Sequence, residues 1–240
     1  MNIFITGTDV NVGKTFVTAG LAALMQSLGY KTGVYKPFQC GAHETNGFLM
    51  APDLAYVKQV DAFVDTACTY LMKSTAAPAL AAEIEKINID TNLIAKDYNL
   101  LNNKCELVIT EGTGGICSPV SSSLLTSDIV KFLNLPLIII AKPDLGTINH
   151  TLLTINHAQQ QGLNIRGVII NKYPQGSENI AIRTLPRLIE EYSDVKVLGI
   201  IKDIQNPLFL APSAMIDIIL NSVDIEKIFQ ITIPKLNTGV

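Results

Sequence analysis

Two lysines, a threonine and an acidic residue stand where strand ends could bring them to one point. Residues 7 to 15 read GTDVNVGKT. They follow the apolar run Asn2–Thr6 and precede a helical pattern that begins near Thr15. Strand, glycine-bearing loop and helix, in that order, are the context of a phosphate-binding P-loop. Such a turn aims several backbone N–H groups at one point, and the helix dipole adds positive potential there. Gly13 lets the backbone approach a phosphate, Lys14 reaches the β- and γ-phosphates, and the Thr15 hydroxyl is a ligand for Mg²⁺. The common pattern G-x4-G-K-[ST] places glycine at position 8, but Thr8 is there and the glycine is Gly7, so the loop is one residue longer. The plain alternative is a strand-to-helix turn that happens to contain Gly-Lys-Thr.

Further along, polar residues recur at the ends of apolar runs. Lys36 closes one run in YKPFQCG, Glu111 another in VITEGTGG, and Asn171 a third in VIINKYP. A lysine at a strand end is ordinarily solvated, but the apolar context before Pro37 points the Lys36 ammonium along the strand into a crevice. Glu111 has the position of a Walker B acid, which holds Mg²⁺ directly or through water; as an ordinary residue it would cap a turn. Asn171-Lys172 invites comparison with the guanine motif NKxD, yet Pro174 stands where its aspartate would be. Asp9 occupies the place where partition ATPases carry an extra loop lysine, and a carboxylate cannot contact a phosphate as that lysine does.

These residues need strands to hold them. Short β-branched runs (Asn2–Thr6, Thr32–Lys36, Glu106–Glu111, Leu137–Ala141, Arg166–Asn171, Lys196–Ile201) alternate with helical patterns such as Thr15–Leu28, Ile148–Gln161 and Asn179–Glu191. Nearly continuous apolar strands are buried on both faces, as in a parallel sheet with helices on either side. The expected fold is therefore α/β, a P-loop NTPase-like three-layer α/β/α arrangement around a mainly parallel sheet, in one domain over 1–240. Ligands in such folds bind beyond the carboxyl ends of the strands. Residues 42–104 are the least legible stretch, with helical patterns only at Asp53–Asp61 and Asn88–Leu101.

Bulk properties narrow the class. Of 240 residues, 48% are apolar and 16% charged, enough to bury a large core. A formal net charge of −3 argues against general affinity for nucleic acid or an anionic membrane. Apolar runs such as Leu137–Ala141 are far too short to span a bilayer. Cys40, Cys68, Cys105 and Cys117 show no C-x-x-C spacing and read as free thiols of a cytoplasmic protein. The N-terminus lacks a basic region ahead of its apolar run and reads as the first strand, not a targeting peptide.

Four segments in order resemble dethiobiotin synthetase, an ATP-dependent family of biotin biosynthesis. They are GTDVNVGKT, YKPFQCG (35–41), TEGTGG (110–115) and DLGTINHTLLT (144–154); Pro78 with Ala81-Ala82 resembles the family's P-x-x-A-A element. The resemblance implies ring closure of 7,8-diaminopelargonic acid with CO₂, driven by ATP with Mg²⁺. Lys14 and Lys36, with Thr15, would be catalytic. ATP would lie against Asn11, Val12, Gly13, Lys14, Thr15, Phe16, Asp53, Glu111, Gly112, Thr113, Gly114, Asn171 and Lys172, with Asn171 on the adenine edge. Mg²⁺ would be held by Thr15, Asp53 and Glu111. Asp53 could equally be the N-cap of a helix starting at Leu54, and both roles could hold. The diamine would meet Lys36, Cys40, Gly115 and, from a neighbouring subunit of a homodimer, Leu145, Gly146 and Asn149. The chain departs from the family at Val10 (usually threonine), Asn11 (often glutamate), Cys40 (serine or threonine), Asp144 and Lys202. Two other classes compete: a partition-type nucleotide switch, opposed by Asp9, and a related amidoligase, for whose glutaminase domain 240 residues leave no room.

Overall fold

The computed structural model describes residues 1–233. The chain runs β1 (Ile3–Gly7), α1 (Lys14–Ser27), β2 (Thr32–Cys40), a hairpin of β3 (His43–Thr45) and β4 (Phe48–Met50), α2 (Pro52–Val60) and β5 (Asp65–Met72). It continues with α3 (Pro78–Glu85), α4 (Thr91–Asn102), β6 (Leu107–Gly115), α5 (Thr126–Leu133), β7 (Leu137–Ala141) and α6 (Thr147–Gln160). Then come β8 (Ile165–Tyr173), α7 (Ile180–Ser193), β9 (Val197–Lys202), a 3₁₀ turn at Pro207–Phe209, α8 (Pro212–Ser222) and α9 (Ile225–Phe229).

Seven strands form one sheet in the order β5-β2-β6-β1-β7-β8-β9, and every pairing in it is parallel. Alternation along the central strands explains their unbroken apolar content. Ile3, Ile5, Leu107, Ile109, Ile138 and Ile140 face one core with α1, α2, α8 and α9. Phe4, Val108, Leu137, Ile139 and Ala141 face a second core with α3 to α7. A strand with both faces covered needs apolar side chains at odd and even positions alike. The three-layer α/β/α expectation is thus borne out. Among the described residues no helix is long and apolar enough to cross a membrane.

The same alternation aims the polar strand ends. Val34 and Ile109 belong to the core on the α1/α2 side, so Lys36 and Glu111, two residues further on, point to that side too. Tyr35 pairs with Thr110 and Ile5 with Glu111, which sets Lys36 level with Glu111 at the exit of β1. The strand was expected to stop at Lys36, but it continues to Cys40 alongside β5. Pro37 is tolerated because its missing N–H lies beyond the last β6 partner, at Tyr35.

The helix behind the phosphate loop is seated closely on α8. A Cβ built on Gly20 of α1 would lie 2.6 Å from Ile219 Cγ1 and 3.3 Å from Met215 Cγ. Gly20→Val should therefore push α8 outward and destabilise the protein by about 1–3 kcal/mol, despite replacing a poor helix former. Urea unfolding reads the loss, and Ile219→Ala in the same chain should recover part of it; additive losses would show that the two sites do not touch.

Candidate active site

Sharp backbone geometry shapes the turn from β1 into α1. The Thr8 amide donates to the Ile140 carbonyl at 2.9 Å, so the loop leaves the sheet pinned to β7. A Cβ on Gly7 would lie 2.7 Å from the Asp9 carbonyl oxygen and 2.8 Å from Val12 Cγ2, so no side chain fits there. Gly13 caps α1 at φ 90°, and Asn11 adopts φ 57°. The loop is clamped from β8: Asn171 Nδ2 donates to the Val12 carbonyl and Lys172 Nζ to the Asn11 carbonyl, each at 3.0 Å. Asp9 spends one carboxylate oxygen on the Val10 amide at 2.7 Å, within the loop itself.

Beside the loop lies an ion cluster. Lys36 Nζ stands 2.6 Å from Asp53 Oδ2 and 2.9 Å from Glu111 Oε1. Thr15 Oγ1 donates to the same Glu111 oxygen at 2.9 Å. The Lys36 and Glu111 side chains are each only 2% exposed, whereas that of Asp53 is 31% exposed. Burial alone would drive a proton off Lys36. Glu111 and then Asp53 outweigh it, and hold the ammonium above the ordinary lysine range. Lys14 is in the opposite situation. Its Nζ curls back to the Asp9 carbonyl at 3.1 Å. Burial, with Lys36 adding to it, pushes Lys14 down to about 8 against the pull of Glu111, Asp53 and Asp9.

Loop, cluster and the extended end of β2 surround a cleft of about 550 Å³. Asn11, Gly13, Lys14, Thr15, Lys36, Cys40, Asp53, Glu111, Gly112, Thr113, Gly114 and Lys172 line it, so most of the residues singled out from the sequence share one space. Asp53 sits in the first turn of α2, one place past Pro52, and Ala51 is the N-cap. Its carboxylate is therefore engaged with Lys36, not in capping a helix that starts at Leu54. Burial pushes the Cys40 thiol up to about 11, with Lys36 partly opposing, so the group is a neutral SH in the cleft.

Other expected residues lie elsewhere. Val12 is fully buried beneath the loop. Phe16 and Asn171 line a small recess with Lys172, Asp203, Ile204 and Pro207. Gly115 opens on a cavity of about 490 Å³ with Thr8, Ser118 and His150. Leu145 and Gly146 border a third recess beside α7; they and Asn149 are exposed on the surface, outside the Lys36 cleft. Gln39, His43 and Thr75 line the cleft without having been anticipated. Gln39 lies inside YKPFQCG, whereas Thr75 follows a strand that the pattern did not reveal.

The two carboxylates that flank Lys36, and the Thr15 hydroxyl bonded to one of them, are neighbouring hard oxygen donors, a chemistry that fits a cation of the Mg²⁺ class. No group of three or more His, Cys, Asp or Glu among the described residues could hold a metal. Two carboxylates and a hydroxyl suit an ion that keeps water and phosphate ligands instead of a closed protein cage.

Comparison with known proteins gives a consistent picture. The profile of a family described as an AAA domain matches residues 1–206. The ATP-dependent dethiobiotin synthetase of Anoxybacillus flavithermus is 39% identical over 205 residues, covering 85% of this chain and 92% of that protein. The enzyme of the same name from Methanocaldococcus jannaschii is 35% identical (83% and 93% covered), and that of Bacillus subtilis strain 168 is 36% identical (85% and 87%). Among solved structures, the MinC:MinD cell division complex of Aquifex aeolicus aligns with TM-score 0.58 at 14% identity over 98% of both chains. A ParA family ATPase from Chlorobium tepidum aligns with TM-score 0.53 at 13% identity, covering 96% and 93%. At such identities the likeness is one of fold.

The Lys14 environment sets a pH dependence. Lys14 lies at about 8 without a ligand; an anion bound beside it would raise that value, so binding would be strongest below about 8 and would weaken as pH rises through it. The dissociation constant of inorganic triphosphate should climb by up to about tenfold per pH unit above 8. Lys14→Arg, which keeps its charge throughout, should flatten the profile in calorimetry; an unchanged slope would place the titration elsewhere. Lys36→Met should cost on the order of 3 kcal/mol by leaving buried Glu111 without its cation, and adding Glu111→Gln should restore part of that in urea unfolding.

Proposed function

We propose, from the premise that this chain belongs to the dethiobiotin synthetase family, that it closes the ureido ring of dethiobiotin on 7,8-diaminopelargonic acid with CO₂ and ATP. The chain is an ATP-dependent ligase with a P-loop fold; the substrates and residue roles that follow are our reading. One amine, by family expectation N7, adds to CO₂ and releases a proton to give a carbamate. A carbamate oxygen attacks the γ-phosphorus, the bond to the bridging oxygen breaks and ADP leaves. The second amine then attacks the carbamoyl carbon of the mixed anhydride, and inorganic phosphate departs with closure of the five-membered ring.

The observation that carries this reading is the Lys36 ammonium, sealed between Asp53 and Glu111 in the cleft that also holds Lys14. Phosphoryl transfer needs positioning and neutralisation of spread-out negative charge more than covalent help from the protein. Lys14 would bind the β- and γ-phosphates from the loop. Lys36, level with the strand ends, would hold the carbamate oxygen against the γ-phosphate and offset the charge that grows between them. Preorganised charges of this kind are commonly worth about 10² to 10³ in rate. Thr15, Glu111 and Asp53 would hold Mg²⁺, which supplies neutralisation of the phosphate oxygens when bound.

ATP would follow Asn11 to Phe16, with Asn171 toward the adenine, and Gly112 to Gly114 would pass beside the phosphates. Cys40 and Gly115 would border the diamine. Because Leu145, Gly146 and Asn149 lie outside the cleft of their own chain, their substrate contact would require a partner subunit in a cytoplasmic homodimer. The MinD and ParA likeness raises a partner-binding switch as a second reading, but Asp9 stands where the partition-ATPase pattern has a loop lysine, and its carboxylate is taken up by the Val10 amide.

Incubation with the diamine, bicarbonate, ATP and Mg²⁺ should yield dethiobiotin by mass spectrometry, with ADP formed in equal amount. ATP consumption at one slow rate with or without the diamine would sink the proposal. Lys36→Ala should bind ADP within about threefold of the parent yet lose at least about 10² in kcat; full turnover in that variant would remove Lys36 from the chemistry.

A further inference from the structure

The small recess on the far side of the loop from Lys36 is closed by a turn that the sheet does not hold. Phe16, Asn171 and Lys172 form its inner wall, and Asp203, Ile204 and Pro207 its outer wall. Pro207 belongs to the 3₁₀ turn Pro207–Phe209, entered through Asn206 in the left-handed conformation at φ 51°. Within the turn, the Phe209 amide donates to the Asn206 carbonyl at 3.0 Å. Leu208 is 58% and Phe209 88% exposed, so the middle of the turn has little apolar anchorage, whereas Ile204 before it and Leu210 at its end pack against the core.

The middle of the turn receives hydrogen bonds from α2. Tyr56 Oη donates to the Pro207 carbonyl at 3.1 Å, and Gln59 Nε2 to the Leu208 carbonyl at 2.8 Å. These bonds join residues about 150 positions apart in the chain. Asp53, Tyr56 and Gln59 follow one another at i, i+3 spacing, so each is the surface neighbour of the next on this nine-residue helix. One stripe of α2 thus holds Lys36 through Asp53 and holds the wall of the recess through Tyr56 and Gln59. The adjoining stripe of α2, Leu54, Val57 and Val60, is buried in the core with α1, and Tyr56 itself packs against that core, so the helix is a fixed strut.

We propose that Tyr56 and Gln59 are positioning residues for the nucleotide base: they fix the Asn206–Leu210 turn as the outer wall of the base recess and set it in register with the Asp53–Lys36 end of the same helix. The inference rests on the reading above that ATP binds along the loop with its base toward Asn171. Neither residue touches the phosphates or the reacting atoms. Their loss should loosen the middle of the turn and weaken whatever depends on the base, while the phosphate cradle around Lys14 stays intact.

Two ligands separate these contributions in the full-length protein. ADP uses both the cradle and the base recess, whereas inorganic triphosphate uses only the cradle. In Tyr56→Phe, Gln59→Leu and the double variant, the dissociation constant of ADP should rise in steps, reaching about three- to tenfold in the double. That of inorganic triphosphate should stay within about twofold. Turnover with ATP should show a raised KM and a kcat close to the parent value. Unchanged ADP affinity in the double variant overturns the inference, as does equal weakening of both ligands, which would report a general disturbance of α2. Failure of the parent protein to bind ADP, with triphosphate bound normally, overturns the adenine-site reading itself.

Discussion

Holding an ammonium out of water costs several kcal/mol unless carboxylates meet it, and the C-terminal edge of this sheet is arranged around that need. Lys36 has almost no access to solvent and finds Glu111 on the adjacent strand at the same level. Glu111 alone would leave the second side of the ammonium bare. Asp53 supplies it from a helix that arrives only after the chain has left β2, made the β3–β4 hairpin and turned back at Pro52. The excursion between β2 and β5 is therefore not decoration on the fold. It delivers the third member of the cluster.

Glu111 Oε1 accepts from both Lys36 and Thr15, which ties the first turn of α1 to β2 through a single atom. The phosphate loop is thus braced on two sides, by Glu111 at Thr15 and by Asn171 and Lys172 at Val12 and Asn11. The two braces come from β6 and β8, on either side of β1 in the sheet. A loop held this way needs little rearrangement to receive an anion, and what does change is local. Lys14, lying back on the Asp9 carbonyl with its pKa pushed down to about 8, has a reason to swing outward when a phosphate offers a stronger partner.

Much of this was legible from residue order. The loop, Lys36, Glu111 and Asn171 sit at the ends of apolar runs, and a parallel sheet must gather such ends on one edge. The missing parts share a physical cause. β5, DTACTYLM, lies at the sheet edge and is mostly only half-buried, so it carries threonine, aspartate and cysteine where a central strand would carry isoleucine. Its contribution to the cleft, Thr75 just beyond it, was hidden with it. Asp53 was visible as a helix start but ambiguous in role, because a carboxylate in a first turn satisfies helix electrostatics whether or not an ammonium waits opposite. The Lys36 contact depends on the register between β2 and β6, a long-range property that residue spacing does not encode.

The departures in the loop make sense once the backbone is considered ahead of the side chains. Asn11 stands at φ 57°, a conformation that asparagine tolerates better than most non-glycine residues. A glutamate there would have to adopt the same backbone at greater cost, so asparagine suits the geometry. Val10 is 56% exposed, and its amide, not its side chain, is what the loop uses, through Asp9. Cys40 is a different kind of change. Its thiol stays protonated near Lys36 because burial outweighs the lysine's pull, so the position keeps a neutral, weakly donating group of hydroxyl-like placement. Val10, Asn11 and Cys40 are all uncharged, so the charge of the cleft is carried by Lys14, Lys36, Lys172, Asp53 and Glu111, and the last two with Lys36 form the set that the buried ammonium requires.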